Sequence, residues 1–159
     1  MKRKITGFYN LIPVRKGFKL QLGDAFQAIE LMKKSKNRFL AIPRTPKELI
    51  KDSRRWYFVI NKAGEKIGTI SIRPSTGEIG GFSILPEHRT AFDANNALKT
   101  AEIILSNLGH KKAKTYVNIT DPRKLKALKY LKWQETGKKI KGRKYGVLYN
   151  LIELEKELI

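Results

Sequence analysis

The sequence predicts one α+β domain, and three observations lead to that prediction. The chain has 159 residues, enough for a proper core, and its hydrophobic fraction of 41% is ordinary for a folded protein. Apolar residues recur at helical spacing in some stretches and form short β-branched or aromatic runs in others. The two kinds of stretch alternate as helix, helix, three strands, helix, strand, helix and two strands. This mixed order restricts the possible topologies strongly.

Residues 1–21 are predicted to be irregular or partly extended, and a helix follows them. Residues 1–17 form a poorly defined N-terminal segment of the single domain 1–159, and Phe18 and Leu20 are candidates for the start of a strand. Apolar residues at helical spacing from Leu22 to Met32 predict the first helix.

A capping box predicts the second helix, from Pro46 to Ser53. Thr45 precedes Pro46 and Glu48 follows three positions after the threonine, the arrangement in which side chains satisfy the first backbone N–H groups of a helix.

Six strands are predicted from β-branched and aromatic runs bounded by turn residues. They are Trp56–Ile60, Lys66–Ile72, Glu78–Leu85, Ala113–Ile119, Glu135–Ile140 and Gly146–Leu154. The basic segment Lys141–Lys144 is predicted as the turn that joins the last two strands.

The strand Glu78–Leu85 feeds the longest predicted helix, which has an apolar face from Ala94 to Leu108 and ends at Gly109. A helix that follows a strand through a short loop directs unpaired N–H groups outward at its N-terminus. This junction is therefore a candidate anion site, often a phosphate site in proteins. A later helix opens at Asp121 and Pro122 and carries Leu125, Leu128 and Leu131 on one face.

Composition excludes several kinds of chemistry. The chain has no cysteine and two histidines, His88 and His110, so disulfides, thiolate metal sites and a cysteine nucleophile are excluded. No apolar run approaches the roughly 20 residues of a membrane span. The default expectation is an intracellular, cytoplasmic protein.

The net charge is +20, and it is unevenly distributed. Residues 109–144 contain thirteen basic side chains and two acidic ones, and the first 22 residues add six basic groups and no acid. A positive field attracts nucleic acid, anionic membranes or phosphorylated cofactors. The alternative is a lysine-rich solvated surface without a specific partner.

If nucleic acid is the partner, the basic C-terminal part is the expected interface. The candidates are Lys124, Lys129, Lys132, Lys138, Lys139, Lys141, Arg143 and Lys144. Tyr130, Trp133 and Tyr145 lie among them and are able to stack on bases. The alternative for Trp133 is a core position, and no helix-turn-helix, RNA-recognition or zinc signature is present.

The element order and two short motifs resemble the GCN5-related N-acetyltransferases (GNAT superfamily) from about Phe18 to Leu154. The phrase Ile84–Arg89 is similar to the family's strand end V-x-P-E-x-R, and Thr115–Pro122 with Leu128–Glu135 is similar to its later strand and helix. The resemblance implies a mixed, mostly antiparallel sheet flanked by helices on both faces. It also implies transfer of an acetyl group from acetyl-CoA to an amine.

The resemblance implies an acyl-CoA site around the strand end and the following loop. The implied cofactor-binding residues are Ile84, Leu85, Arg89, Thr90, Ala91, Phe92, Asp93, Ala94 and Asp121. Phe92 stands where the family uses glycine for close approach to the pyrophosphate, and Asp93 adds a negative charge there. Asp93 is alternatively a helix cap.

The expected catalytic groups also depart from the family pattern. Leu128 stands where the family has its tyrosine acid, and Asp121 where it has an asparagine. Tyr130 lies two positions along the same helix, on the opposite face. The resemblance implies Glu78 as the candidate base, with an exposed strand-end carboxylate as the alternative. Gly80–Gly81 is predicted to mark a close approach or a bulge, and the resemblance implies that the splay there makes the groove for the pantetheine arm.

Three functions remain open at this point. One is an N-acetyltransferase that uses acetyl-CoA, an expectation that Phe92 and Leu128 weaken. Another is an inactive GNAT-fold protein that binds nucleic acid or belongs to a phage virion, since small divergent GNAT-like proteins occur in bacteriophage genomes. The last is an acetyltransferase whose acceptor amine is bound to a polyanion.

Overall fold

The computed structural model describes residues 10–13, 19–34, 45–51, 53–88, 91–144 and 146–158. Phe18, one of the two residues predicted to start a strand, lies outside these ranges. The described elements are β1 (Asn10–Pro13), α1 (Lys19–Lys34), α2 (Pro46–Lys51), β2 (Arg55–Ile60), β3 (Lys66–Arg73), β4 (Glu78–Ile84), a 3₁₀ turn (Pro86–His88), α3 (Ala91–Asn107), β5 (Lys112–Asn118), α4 (Pro122–Tyr130), β6 (Gln134–Lys144) and β7 (Val147–Glu157).

The strands form one seven-stranded sheet in the order β1-β2-β3-β4-β5-β7-β6. Neighbouring strands are antiparallel except for β4 and β5, which are parallel. The last strand in sequence, β7, lies between β5 and β6, so β6 is the edge of the sheet. The predicted mixed, mostly antiparallel sheet is confirmed.

Helices cover both faces of the sheet, as predicted. Alternate residues of β2 point to opposite faces, and Tyr57 and Val59 belong to a core cluster that includes Ala101 and Leu105 of α3 and Leu128 of α4. Trp56, Phe58 and Ile60 instead belong to a cluster with Ala28, Ile29, Leu31 and Met32 of α1 and Leu49 of α2.

Two signals predicted from the sequence, one that begins a helix and one that ends a helix, are confirmed. Thr45 Oγ1 accepts a hydrogen bond from the Glu48 amide (3.3 Å) at the start of α2. At the end of α3, Gly109 has a φ of +96°, and its amide bonds to the Ser106 carbonyl at 3.0 Å. The His110 amide bonds to the Leu105 carbonyl (3.1 Å). This pair of bonds is the Schellman motif, which requires a left-handed residue.

Several predicted boundaries are wrong. Leu20 lies in α1 and does not start a strand. The strand Asn10–Pro13 agrees with the partly extended alternative for residues 1–21, but it starts earlier than Phe18 and Leu20. The short helix α2 ends at Lys51 rather than Ser53. The long helix α3 begins at Ala91, three residues before the first apolar position used to predict it.

The basic segment Lys141–Lys144 is not a turn, because it continues strand β6 and pairs with β7 from Lys141↔Asn150 to Lys144↔Val147. Most described residues of β6 are exposed. An exposed edge strand lacks the apolar alternation that makes a strand visible in sequence, so its length was underestimated.

Within the part of the chain that the structure describes, no helix is long and apolar enough to cross a membrane. The same residues contain no group of three or more His, Cys, Asp or Glu side chains arranged to hold a metal ion.

Candidate active site

The parallel strands β4 and β5 form a fork. Glu78↔Lys114 is their registered pair, and the Lys114 amide donates to the Gly77 carbonyl at 3.0 Å. At the next position, the Thr115 hydroxyl donates to the Ile79 carbonyl at 2.8 Å, so this link between the strands is made by a side chain rather than by a backbone amide. Beyond Ile79 the described residues of the two strands have no registered pairs. The sheet is therefore open between them.

A β-bulge in β4 accompanies this opening. Thr69 and Ser71 of β3 pair with Ser83 and Gly80, so two β4 residues oppose a single β3 residue. Gly81 lies in the bulge with a φ of +55°, and the ring of Trp56 occupies the space that a Cβ would need. The predicted bulge at Gly80–Gly81 is confirmed, and only glycine meets both the torsional and the steric requirement at position 81.

A cavity of about 90 Å³ lies at the fork, between the sheet and helices α3 and α4. Its described lining is Ile79, Gly80, Gly81, Phe82, Leu98, Thr115, Tyr116, Lys124, Ala127, Leu128 and Leu131. Most of these side chains are apolar, and none is a carboxylate. The cavity can therefore take an apolar arm and exclude water from a reacting group at its end.

Lys124 is the amine in this lining. It is half-buried in the first turn of α4, where its backbone amide bonds to Asp121 Oδ1 at 3.2 Å. Burial lowers the pKa of its ammonium group, and the nearby Asp121 carboxylate partly opposes that shift. The sequence placed Lys124 among the candidate nucleic-acid-binding cations, a role that stays a prediction; the structure places it half-buried in the cavity lining.

Tyr116 is the phenol in the lining, but its hydroxyl is already engaged. It donates a 2.6 Å hydrogen bond to Glu153 Oε2, and Thr136 donates to the other carboxylate oxygen at 2.9 Å. Burial, together with the hydrogen bond and charge of Glu153, raises the pKa of Tyr116 far above its ordinary value of 10.0. Tyr116 is thus a poor proton donor and does not replace the tyrosine acid missing at Leu128.

Glu78 is buried at the base of the fork, so the alternative of an exposed strand-end carboxylate is wrong. The residue is 8% exposed. Its Oε2 lies 2.6 Å from Arg54 Nη2 and 4.0 Å from Arg73 Nε. Two guanidinium groups therefore pair with the carboxylate at the base of the fork.

The implied acyl-CoA residues fall into different places. Ile84 is buried in the core (4% exposed) and Leu85 packs against the α1–α2 cluster, so neither is among the described residues lining the cavity. Asp121 is the N-cap of α4, as predicted from its position before Pro122. Its proposed contact with an acyl-CoA arm stays a prediction.

The predicted pyrophosphate loop lies only partly within the described residues. Arg89 and Thr90 are outside them, and Ala91, Phe92, Asp93 and Ala94 form the first turn of α3 rather than a loop before it. Asp93 is the third residue of the helix, so the alternative of Asp93 as its cap is wrong. Their binding of phosphate stays a prediction.

The aromatic and aliphatic residues of α4 and of the turn after it lie where the sequence predicted, in the core or at the surface. Leu128 is 4% exposed and Trp133 is 2% exposed, so both are core residues. Tyr130 is 87% exposed, on the opposite side of the helix from the cavity. It is therefore neither an acid for the fork nor part of the core.

The other candidate nucleic-acid residues lie at the surface, where the structure describes them. Lys129, Lys132, Lys138, Lys139, Lys141 and Arg143 are exposed, and the side chain of Lys144 is outside the described part. Lys129 pairs with Glu135 at 2.7 Å, and Lys138 lies 3.9 Å from Glu153. Of the remaining cations, Lys139, Lys141 and Arg143 lie at alternate positions along the edge strand β6, whereas Lys132 lies in the turn before it.

No protein-family model and no curated protein matches the sequence, but solved structures match its fold. Mutant forms of the spermidine/spermine N-acetyltransferase SpeG from Vibrio cholerae align with a TM-score of 0.68 at 14% identity, over 94% of each chain. A GNAT family acetyltransferase from Elizabethkingia anophelis with acetyl-CoA bound aligns with a TM-score of 0.65 at 18% identity, over 96% of this chain and 100% of that one. The protein therefore has the GNAT fold.

Sequence reasoning missed Arg54, Tyr116 and Lys124 as parts of the site. A signal for Lys124 was available, because it precedes Leu128 by four positions and therefore lies on the same helix face. Arg54 and Tyr116 had no such signal, since their roles depend on which strands are neighbours in the sheet.

Proposed function

We propose that this protein is an N-acetyltransferase that uses acetyl-CoA and acts on an amine. The observation that carries the proposal is the fork between β4 and β5, with its glycine bulge and apolar cavity. A single parallel pair that opens beside a bulge leaves a strand edge to which an extended amide-containing arm is able to bond. The E. anophelis neighbour, which has acetyl-CoA bound, supports the choice of acyl donor.

The residues present fit such a donor. Backbone groups of Gly80 to Phe82 lie on the open edge of β4. The apolar side chains of Phe82, Leu98 and Leu128 line the cavity. The start of α3 follows β4 through a short connection and offers N–H groups to the pyrophosphate. When bound, acetyl-CoA supplies the activated acetyl group.

Glu78 is the proposed base. Its carboxylate pairs with Arg54 and Arg73, and it lies on β4 at the base of the fork. A carboxylate so placed takes the proton of the acceptor amine directly or through one water. Among the described residues, the cavity lining offers neither a carboxylic acid nor an unengaged phenol, so the leaving thiolate takes its proton from the amine or from water.

The net charge of +20 restricts the acceptor. A field of this sign repels polycations and attracts anions, whereas the SpeG neighbours are described as spermidine/spermine N-acetyltransferases. We therefore propose a neutral or anionic amine, or an amine on a partner bound to a polyanion, rather than a polyamine.

Calorimetric titration with acetyl-CoA at moderate salt tests the proposal, with ADP as the control for attraction of bare phosphates. We expect saturable one-to-one binding that is clearly tighter than that of ADP. Ala127 is exposed and lines the cavity, so Ala127→Phe should weaken binding of acetyl-CoA and leave that of ADP unchanged. Lys126→Phe, next to it and outside the lining, is the matched control. Equal affinity for acetyl-CoA and ADP would contradict the proposal.

A second candidate function, binding of nucleic acid, is favoured by the exposed cations of the edge strand. Lys139, Lys141 and Arg143 lie along β6 with no acidic residue between them. Such a row would neutralise phosphates, so the logarithm of the affinity for single-stranded RNA should fall linearly with the logarithm of salt concentration. Absence of binding at low salt would show that the β6 cations do not bind nucleic acid.

A further inference from the structure

We propose that Lys124 is itself an acetyl acceptor, so that the protein modifies its own cavity lysine with acetyl-CoA. The inference rests on the proposed function, because it needs acetyl-CoA at the fork. It goes further in assigning a modification site and in requiring no second substrate.

Lys124 is held at the cavity by local structure. Ala127, Leu128 and Leu131 follow it by three, four and seven positions, so all four residues share one face of the helix and all line the cavity. The Asp121 carboxylate bonds the Lys124 amide and fixes the first turn of α4. The lysine backbone is thus anchored beside the fork rather than on a mobile surface loop.

The groups that face Lys124 leave its amine reactive. The β4 residues of the lining, Ile79 to Phe82, carry no charge, and Leu98 of α3 is apolar. Tyr116 of β5 has its hydroxyl bonded to Glu153. Asp121 is the acidic neighbour on its own helix, and it opposes but does not outweigh the effect of burial.

Because burial lowers its pKa, Lys124 has a larger neutral fraction at a given pH than a solvated lysine. Lys126 is exposed on the same helix and provides the comparison. Only the neutral amine has the lone pair that attacks a carbonyl carbon.

The transfer balances without another reagent. The Lys124 nitrogen forms a bond to the thioester carbonyl carbon, and the carbon–sulfur bond breaks. The proton leaves the nitrogen for the departing thiolate, directly or through water, which gives acetyl-lysine and the free thiol. The product amide is neutral, so burial no longer penalises the side chain. We expect one acetyl group per chain, because the modified lysine then occupies the cavity.

The first test follows acetylation of the intact wild-type protein with acetyl-CoA by mass spectrometry and peptide mapping. Lys124 should be acetylated at least about tenfold faster than Lys126, since a positioned amine reacts at a high effective molarity. Its rate should saturate with acetyl-CoA and not depend on protein concentration. Lys124→Arg should remove the fast phase only, and the urea-unfolded chain should show no preference for Lys124.

The outcomes separate this inference from the proposed function. Tight binding of acetyl-CoA with Lys124 modified no faster than Lys126 would overturn the inference alone. Absence of binding would overturn both. An acetylation rate that rises with protein concentration would show transfer between molecules, which would overturn the inference that Lys124 is acetylated within its own chain.

A second test needs no acetyl-CoA. Competitive labelling of the wild-type protein with trace acetic anhydride, over a range of pH, measures the basicity and accessibility of each lysine. Lys124 should become reactive at lower pH than Lys126. A Lys124 that is protected from the anhydride, or that titrates together with Lys126, would overturn the inference.

Discussion

The guanidinium of Arg54 lies 2.6 Å from the carboxylate of Glu78, between Nη2 and Oε2, and both side chains are only 11% exposed. Arg54 also lies close against Gly80, in the space that a Cβ would occupy, and its Nη1 donates to Ser71 at 3.4 Å. The arginine therefore connects the segment before β2 to the bulge of β4. It fixes the carboxylate proposed as the base.

Removing this arginine should destabilise the fold. Arg54→Met leaves the buried Glu78 carboxylate with only the more distant Arg73, and loss of one partner of a buried ion pair costs about 3–5 kcal/mol. Urea unfolding at neutral pH measures the free energy of unfolding. Arg55→Met, at an exposed neighbouring position, should change it by less than about 0.5 kcal/mol. Equal losses for the two variants would show that the ion pair is not important for stability.

A methyl group at position 81 should be far more costly than one at position 64. Both glycines have positive φ, but the space around a Gly64 Cβ is open, whereas a Gly81 Cβ would collide with the Trp56 ring. Gly64→Ala should cost about 1–2 kcal/mol, the penalty of the left-handed conformation. Gly81→Ala should cost clearly more, because overpacking adds about 1–3 kcal/mol.

The same Gly81→Ala protein should also bind acetyl-CoA more weakly, because the bulge shapes the fork. Thermal unfolding compares the stabilities of the two variants, and calorimetry compares their affinities for acetyl-CoA. If the two alanine variants were alike in both measurements, position 81 would not require glycine for the reason given.

Glu153 should stabilise the protein at neutral pH and not in acid. Burial by itself raises the pKa of this carboxyl, but hydrogen bonds from Tyr116 and Thr136 and the charges of Lys138 and Lys114 lower it overall. A carboxylate with a lowered pKa stabilises the folded state at pH values above its ordinary pKa of 4.5. That stabilisation is lost as the pH falls through the folded-state pKa.

Glu153→Gln should therefore lower the free energy of unfolding at pH 7 by roughly 1–3 kcal/mol, the range for hydrogen bonds to charged groups. The difference from wild type should shrink in urea unfolding below about pH 4. Glu155 lies on the same strand, is 42% exposed and pairs with Lys112 at 3.6 Å. Glu155→Gln should change stability little at either pH. A Glu153 difference that does not depend on pH would contradict the assignment.

Asp121 should act as a cap and as an electrostatic neighbour of Lys124, and two substitutions separate the roles. Asp121→Ala removes the cap and should cost about 1 kcal/mol, whereas Asp121→Asn retains a good capping side chain and should cost little. Asparagine removes the charge that raises the pKa of Lys124.

The Asp121→Asn protein should therefore show Lys124 labelled by acetic anhydride at lower pH than in wild type. Urea unfolding gives the stabilities, and peptide mapping gives the labelling. Labelling of Lys124 that is unchanged in Asp121→Asn would mean that the two side chains do not interact.

Local signals in the sequence determined most of the elements. The apolar faces of α1, α3 and α4, the capping box at Thr45 and the stop at Gly109 all act within one or two helical turns, so they were predicted correctly. The glycine pair at the bulge was also recognised, because a local backbone requirement selects that residue type. Boundaries failed in the exposed part of β6, which has no apolar alternation, and at the first turn of α3, which the resemblance had assigned to a loop.

The tertiary structure alone decided which side chains share the site. Arg54 and Glu78 are 24 positions apart and meet because β2, β3 and β4 are consecutive neighbours in the sheet. Burial and the hydrogen bond to Glu153 together raise the pKa of Tyr116, and that bond exists because β7 pairs with β5. Lys124 becomes a cavity residue because α4 packs over the fork. A sequence displays residue type and local spacing. The burial and distances that set the ionisation of a side chain arise only when remote strands pair and helices cover them.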